Sequence, residues 1–253
     1  MTRAVLLVGS LAVGIILLTS VVLGRASEGP AGCASSLIPA YLSPRGIVDL
    51  ADAAPGPRLL IVNPASGPGA APDPDLRRAV AHAQAGGARI LGYVPTTFGS
   101  RHSAAVLSDA ERYREWYAVD GIFLDEVSHD AAQLPYYAAL SRRLRGGGEL
   151  VLNPGTVPAR GYFDLADLVV TFEGPFADYA TRMAAAPDWL RDIPGDRTAL
   201  LVYAATAAQA RSLFAATSRD VHLYVTSGTP PDPWGTPPPY LREEAASRSP
   251  QCP

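Results

Sequence analysis

The sequence contains no lysine, and all 21 of its strongly basic side chains are arginine. Schiff-base catalysis and the phosphate-binding loop of nucleotide hydrolases both use a lysine amine, so both are excluded. Charged residues make up only 18% of the chain, the net charge is -3, and no long basic run occurs. Nucleic-acid-binding domains are normally basic, and we therefore expect no nucleic-acid partner.

Two further signatures are absent. No Gly-x-Ser-x-Gly segment presents a nucleophilic serine, and no glycine fingerprint for a dinucleotide occurs. The segment 66–69 reads Ser-Gly-Pro-Gly, and its proline removes an N–H group that a phosphate would need. Serine-hydrolase and nucleotide-dependent chemistry are therefore disfavoured, and no cofactor is expected.

The N-terminus is dominated by one hydrophobic run. Residues 4–24 carry no charge and are flanked by Arg3 and Arg25. This length suits either a long signal-peptide core or a membrane-spanning helix. The sequence therefore predicts export, with residues 1–26 as a signal peptide or an anchor, residues 27–35 as a linker, and residues 36–253 as one domain.

Cysteine is scarce: only Cys33 and Cys252 are present, near the two ends of the exported part. In an oxidising compartment, two such cysteines predict one disulfide, with two free thiols as the alternative.

Short apolar segments alternate with helical patterns along the rest of the chain. Strands are predicted at 36–41, 58–62, 88–94, 120–126, 149–152, 168–172, 198–203 and 221–225. Eight such units over about 220 residues predict an α/β fold, a (β/α)8 TIM barrel close to the lower size limit of that architecture. A doubly wound open sheet is the alternative.

Polar residues stand at the C-terminal tip of every predicted strand. They are Tyr41, Asn63, Tyr93, Asp125 with Glu126, Asn153, Glu173, Tyr203 and Tyr224. An isolated Asp-Glu pair is more often a surface turn, but strand tips of a barrel converge on one rim, where catalytic groups sit. The repeated pattern therefore favours an active site containing Asp125, Glu126 and Glu173.

Carboxylates on separate strands, with tyrosine and asparagine between them, suit glycoside cleavage. One protonated acid donates to the leaving oxygen, and an ionised partner attacks or stabilises the oxocarbenium-like centre. Strand alternation turns Asp125 inward with Phe123, so Asp125 and Glu173 are predicted as the catalytic pair and Glu126 as a supporting acid. A divalent metal held by Asp125, Glu126, His129 and Asp130 is a weaker alternative, and no metal is expected.

Other rim residues are predicted to contact substrate. Trp234 and Tyr240 flank the last rim loop and offer flat faces for sugar rings, although packing of that proline-rich loop explains them equally well. Arg101 and Asn153 are predicted to position the acids or the substrate. The predicted substrate-binding residues are Tyr41, Asn63, Tyr93, Thr96, Arg101, Asn153, Tyr203, Tyr224 and Trp234.

Four blocks of sequence resemble the spherulation-specific family 4, or spherulin-4-like, proteins. They are residues 61–69 (IVNPASGPG), residues 91–96 (LGYVPT) with Arg101, residues 116–126 (WYAVDGIFLDE) and residues 153–156 (NPGT). The resemblance implies a (β/α)8 barrel and a link to glycoside hydrolases that cleave galactosamine-containing exopolysaccharides, with Asp125, Glu126 and Glu173 as the matching acids. It also favours a retaining reaction with Asp125 as nucleophile and Glu173 as acid/base. Phe98 stands where a tyrosine is more usual.

These observations predict an exported, endo-acting glycoside hydrolase of an amino-sugar polysaccharide. A non-catalytic carbohydrate-binding or structural barrel at the cell surface is the alternative, but binding a neutral sugar does not require three acids. Polysaccharide is the expected partner, membrane contact is expected only through the N-terminal segment, and a monomer is expected.

Overall fold

A computed structural model describes residues 35–53 and 58–248. The predicted signal peptide or anchor and both cysteines of the predicted disulfide, Cys33 and Cys252, lie outside these residues. Within the described ranges, no helix is both long and apolar enough to cross a membrane.

Eight parallel strands form a nearly closed barrel. The strands are β1 (Ser36–Pro39), β2 (Arg58–Val62), β3 (Ala88–Pro95), β4 (Gly121–Asp125), β5 (Glu149–Leu152), β6 (Leu168–Pro175), β7 (Thr198–Tyr203) and β8 (His222–Val225). They are hydrogen-bonded in sequence order, and β8 returns to lie beside β1. A doubly wound sheet would change direction within its strand order, so the (β/α)8 prediction is confirmed and the open-sheet alternative is wrong.

Helices on the outside connect the strands. They are α1 (Pro44–Ala53), α2 (Pro74–Ala85), α3 (Ser103–Tyr117), α4 (Leu134–Leu144), α5 (Phe176–Ala184), α6 (Ala207–Ala216) and α7 (Leu241–Arg248). The connection from β5 to β6 holds a short 3-10 helix, Arg160–Asp164, instead of an α-helix.

Local sequence sets the helix starts. The Asp73 carboxylate accepts hydrogen bonds from the first turn of α2, which has proline at its first position. Thr206 and Gln209 form a reciprocal capping box at the start of α6.

Each strand buries two faces. Gly92 of β3 turns toward α3, and a Cβ there would lie 2.4 Å from Tyr113 Cγ, so only glycine permits this close packing. The next residue, Tyr93, faces the axis and stacks on Phe123 of β4 with a centroid distance of 6.4 Å. Because Asp125 follows Phe123 by two residues, its side chain also faces the axis.

Strand β6 contains a bulge that reverses its alternation. Val170 pairs with Ala199, but Phe172 pairs with Leu200, so Thr171 is an extra residue. Phe172 packs outward on Tyr179 of α5, and Glu173 therefore turns toward the axis. The strand was predicted to end at Phe172; it continues to Pro175.

Acids at the opposite end of the barrel are structural. The Asp120 carboxylate accepts from the Ile90 N–H at 2.7 Å, and that of Asp167 accepts from the Leu150 N–H at 2.8 Å. These bonds hold the starts of β3 and β5 in place.

Candidate active site

Asn153 links the two acids predicted as the catalytic pair. Its Nδ2 donates to Asp125 Oδ1 at 2.7 Å and to Glu173 Oε2 at 2.5 Å. Its Oδ1 accepts from the Gly155 N–H at 3.0 Å, which fixes the orientation of the amide. Since one nitrogen bonds both carboxyl groups, their nearest oxygens are at most about 5 Å apart, close to the separation of the carboxyl groups in retaining glycosidases.

Asp125 lies among hydrogen-bond donors. Burial raises the pKa of its carboxyl group, and hydrogen bonds from the Tyr93 hydroxyl, the Glu126 N–H and the Asn153 amide oppose that rise. All three donors favour the ionised form. Asp125 is therefore placed to act as a carboxylate.

Glu173 accepts fewer hydrogen bonds than Asp125, and its pKa is shifted more strongly. Burial, followed by the charge of Asp125, raises its pKa to about 7, while Asn153 and Arg182 act in the opposite direction. Two neighbouring carboxyl groups cannot easily ionise together, and Asp125 receives more donors. Glu173 is therefore the member of the pair that retains a proton near neutral pH.

Arg182 supports Glu173 from outside the barrel, a role that no sequence pattern indicates. It donates to the Glu173 carbonyl at 3.1 Å and to the Gly155 carbonyl at 2.6 Å. Its guanidinium group lies 4.6 Å from the ring centroid of Phe172. These contacts join the ends of β5 and β6, which carry Asn153 and Glu173.

Two tyrosines border the acids. The rings of Tyr41 and Tyr93 meet edge to face at 5.7 Å. Burial and the negative charges of Asp125 and Glu173 raise the pKa of both tyrosines, so both keep their hydroxyl protons. Two hydroxyl donors therefore flank the acid pair.

Glu126 follows Asp125 in a strained backbone conformation, with φ at 51°. Its carbonyl oxygen accepts from the Phe98 N–H at 2.7 Å and from the Thr96 hydroxyl at 2.8 Å. These bonds attach the loop after β3 to the segment that carries the acids.

Thr96 does not line the mouth, contrary to the prediction that it binds substrate. It is fully buried, and its hydroxyl group contacts the Asp125 and Glu126 carbonyls and the Tyr137 hydroxyl. A side chain so enclosed supports the backbone of the acids from behind.

Arg101 is likewise occupied away from the acids. Its guanidinium group pairs with Asp109 of α3 at 2.5 Å and donates to the Pro95 carbonyl at 3.0 Å. Arg101 braces the loop between β3 and α3, so any positioning of the acids or the substrate by this residue, as the sequence predicts, acts through that loop.

The aromatic residues near β8 are packed together. Trp234 is buried between Tyr203, at 5.9 Å, and Tyr224, at 6.0 Å. Tyr224 is also buried, and Tyr240 is buried with its hydroxyl donating to the Ala205 carbonyl. Packing, the alternative considered for Trp234 and Tyr240, describes them better than an open sugar platform; only Tyr203 is partly exposed.

Asn63 and Tyr41 border open space at the ends of β1 and β2. Asn63 Oδ1 accepts from the Gly67 N–H at 3.0 Å, which shapes the loop after β2. Both residues line a cavity of about 320 Å³, and Tyr41 also lines a neighbouring cavity of about 540 Å³ that reaches Asp232 and Pro237. Open space therefore extends sideways from Tyr41 along the rim.

The alternative metal cluster is not assembled. Asp130 caps a short 3-10 helix by accepting from the Ala132 N–H at 2.9 Å, and His129 is exposed. Across residues 35–53 and 58–248, no three histidine, cysteine or acidic side chains group as metal ligands.

Comparison with known proteins gives consistent matches. The sequence profile of spherulation-specific family 4 matches residues 37–247. Spherulin-4 of Physarum polycephalum is 32% identical over 166 residues, which make up 62% of this chain and 49% of the relative. This chain thus matches about half the length of that curated relative.

Solved structures share the barrel. Sph3 of Aspergillus clavatus, solved in complex with GalNAc, superposes with a TM-score of 0.69 at 23% identity, covering 87% of this chain and 98% of that one. Endoglucanase Cel5A of Pseudomonas stutzeri, in complex with cellobiose, has a TM-score of 0.52 at 12% identity, covering 89% and 95%. At these identities the similarity concerns the fold.

Proposed function

The chain belongs to spherulation-specific family 4, and from this premise we propose that it is a retaining glycoside hydrolase acting on a galactosamine-containing polysaccharide. The observation that carries the proposal is the single Asn153 nitrogen bonded to both Asp125 and Glu173. Carboxyl groups held this close leave no room for the water of an inverting reaction, which needs about 6.5 to 9.5 Å between them.

The reaction proposed is a double displacement. Glu173 donates its proton to the glycosidic oxygen while Asp125 attacks the anomeric carbon, so the C–O bond to the leaving sugar breaks as a C–O bond to Asp125 forms. Glu173, now ionised, removes a proton from water, and the hydroxide oxygen displaces Asp125 from the sugar. Glu173 is thereby protonated again and Asp125 is released as a carboxylate.

Neighbouring residues are assigned supporting roles. The hydroxyl group of Tyr41 stays protonated and is available to the substrate's hydroxyl groups, whereas that of Tyr93 donates to Asp125 and holds the nucleophile proposed here. Glu126 adds a further carboxyl group at the mouth, next to the position where positive charge develops on the sugar.

The substrate class is supported by the sequence resemblance, by the shared fold and by the predicted export. The resemblance in the four sequence blocks links the acids to enzymes of galactosamine-containing exopolysaccharides, and Sph3, which shares the fold, was solved with GalNAc. The uncharged run at residues 4–24 supports export to a compartment where such polymers occur.

Turnover and binding measured in parallel test the proposal. Galactosaminogalactan, chitosan and α-1,4-galactosamine oligosaccharides are suitable probes, with released reducing ends as the readout. Release of reducing ends that is lost in Asp125→Asn but not in the surface control Glu115→Gln supports the enzyme. Binding without released ends would instead favour the non-catalytic carbohydrate-binding barrel.

A further inference from the structure

Phe98 lies at the mouth of the barrel, on the loop between β3 and α3. In the part of the chain that the structure describes, it is the only large hydrophobic side chain that is mostly exposed, with 62% of its surface accessible. A single exposed hydrophobic residue is ordinary on a protein surface. Its backbone and its location make Phe98 unusual.

The backbone of Phe98 is strained. Its φ and ψ are 53° and 34°, in the left-handed region, and the preceding Thr97 has φ at 49°. Bulky side chains rarely adopt this conformation because Cβ approaches the following carbonyl oxygen. Strain of this kind persists only where surrounding contacts enforce it, and it clusters at ligand-binding sites.

The contacts that enforce the strained conformation of Phe98 connect its loop to the acids. The Phe98 N–H donates to the Glu126 carbonyl at 2.7 Å, and the Thr96 N–H donates to the Asp125 carbonyl at 2.9 Å. At the far end of the loop, the Tyr136 hydroxyl donates to the Arg101 carbonyl at 2.7 Å. The phenyl ring is therefore held on the same backbone frame as Asp125 and Glu126.

We propose that Phe98 is a sugar-stacking residue that binds one ring of a polysaccharide lying across the mouth, beyond the sugar held at Asp125 and Glu173. The proposal rests on the proposed function and adds a subsite to it. A phenyl face packs on the C–H face of a pyranose ring and offers no polar group to the sugar's hydroxyls. Phe98 thus contributes affinity for the polymer, and the rigid loop lets it do so with little loss of conformational entropy.

Three variants separate the contribution of the phenyl ring to binding from that of the strained backbone. Phe98→Ala removes the ring, Phe98→Gly removes it and also relieves the left-handed strain, and Thr97→Gly relieves the neighbouring strain while keeping the ring. Calorimetric binding of α-1,4-galactosamine oligosaccharides is measured in a Glu173→Gln background, so that the probe is not cleaved. Melting temperatures establish that each variant is folded.

We expect Phe98→Ala and Phe98→Gly each to weaken oligosaccharide binding by about tenfold, the effect of losing one stacked ring. Thr97→Gly should bind like the parent. In the otherwise unmodified enzyme, Phe98→Ala should raise KM for the oligosaccharide with little change in kcat. Cleavage of an aryl glycoside carrying a single sugar should not respond to Phe98→Ala.

Failure of the Phe98 stacking role and failure of the proposed hydrolase function give different results. Unchanged affinity in a folded Phe98→Ala variant overturns the stacking role and leaves the proposed hydrolase intact. Equal weakening by Thr97→Gly would also overturn it, because loop conformation and not the ring would then control binding. If the folded parent neither binds nor cleaves galactosaminogalactan, chitosan or the oligosaccharides, the proposed function fails and the subsite fails with it.

Discussion

Glu173 pairs with Leu201 across β6 and β7, one position out of step with the pairing of Val170 and Ala199 below it. The extra residue, Thr171, makes the difference. Without it, strict alternation from Val170 would turn Phe172 to the axis and Glu173 outward. The bulge is therefore what places the second acid beside Asp125.

Deleting Thr171 is expected to abolish turnover, because it turns Glu173 away from Asn153. Thr171→Val keeps the residue count, so its turnover should stay within a few-fold of the parent. Circular dichroism and reducing-end release check both variants. A folded deletion variant with parental activity would contradict the role of the bulge.

Asp125→Asn and Glu173→Gln are both expected to lower polymer turnover by several orders of magnitude, but they should differ in leaving-group dependence. A nitrophenyl leaving group departs without protonation, so Glu173→Gln should retain much of its first-step activity on a nitrophenyl glycoside. Asp125→Asn should be inactive on both substrates because it removes the proposed nucleophile. Equal losses on both substrates in Glu173→Gln would argue against the acid/base assignment.

Stability should fall as pH rises through the range set by Glu173. Its pKa is about 7 in the folded protein and 4.5 as an ordinary glutamate, so between these values the folded state binds a proton that the unfolded state does not. Raising the pH therefore destabilises the fold, by on the order of 3 kcal/mol at most, and the loss is complete above about pH 7.

Glu173→Gln should remove this component, making the variant more stable than the parent at pH 8 and similar to it at pH 4. Denaturant unfolding at both pH values measures the effect, with Glu115→Gln as the control. If the unfolding free energies of the parent and of Glu173→Gln changed in parallel with pH, the predicted contribution of Glu173 would be wrong.

Arg101 is expected to matter more for stability than for chemistry. Arg101→Ala leaves Asp109 largely buried and the Pro95 carbonyl without its donor, which should cost about 1 to 3 kcal/mol of unfolding free energy. Arg112→Ala is the matched control, since Arg112 reaches the same carboxylate at 3.4 Å from a more exposed position. A large fall in kcat with unchanged stability would instead show that Arg101 contributes to the reaction.

The sequence predicts much of the fold but less of the site. The order of the strands and the inward position of Asp125 follow from local sequence, because β4 pairs with β3 and β5 without a bulge, whereas the end of β6 was predicted three residues too early. The inward position of Glu173 depends on the bulge at Thr171, which has no local signal. Arg182 lies on α5 and acts through backbone carbonyls, so nothing in its sequence context distinguishes it from a surface arginine.

The prediction from residue types at and near the strand tips also included too many substrate-binding residues. Thr96, Tyr224 and Trp234 are polar or amphipathic residues at or near the rim, and all three are buried. The loop that carries Trp234 folds back so that its indole packs on Tyr203 and Tyr224. Such loop packing is a tertiary property that residue type at a strand tip does not reveal.

Asn153→Ala provides the most direct test of the paired geometry. It removes the donor shared by Asp125 and Glu173, so two carboxyl groups whose nearest oxygens are at most about 5 Å apart lose the amide that stabilises negative charge on both. Because the Asn153 hydrogen bond lowers the pKa of each acid, its loss should raise both values. The alkaline limb of the turnover profile, which reports loss of the Glu173 proton, should therefore move to higher pH.

Peak turnover should fall at the same time, since Asp125, the proposed nucleophile, is less often ionised and neither carboxyl group is held in place. Asn63→Ala is the matched control, because that amide also terminates a strand but bonds only the Gly67 N–H. The two variants should separate in their pH profiles and not merely in their rates. If Asn153→Ala lowers turnover with an unshifted alkaline limb, Asn153 serves substrate binding or folding, and the coupling of the two acids through its amide is wrong.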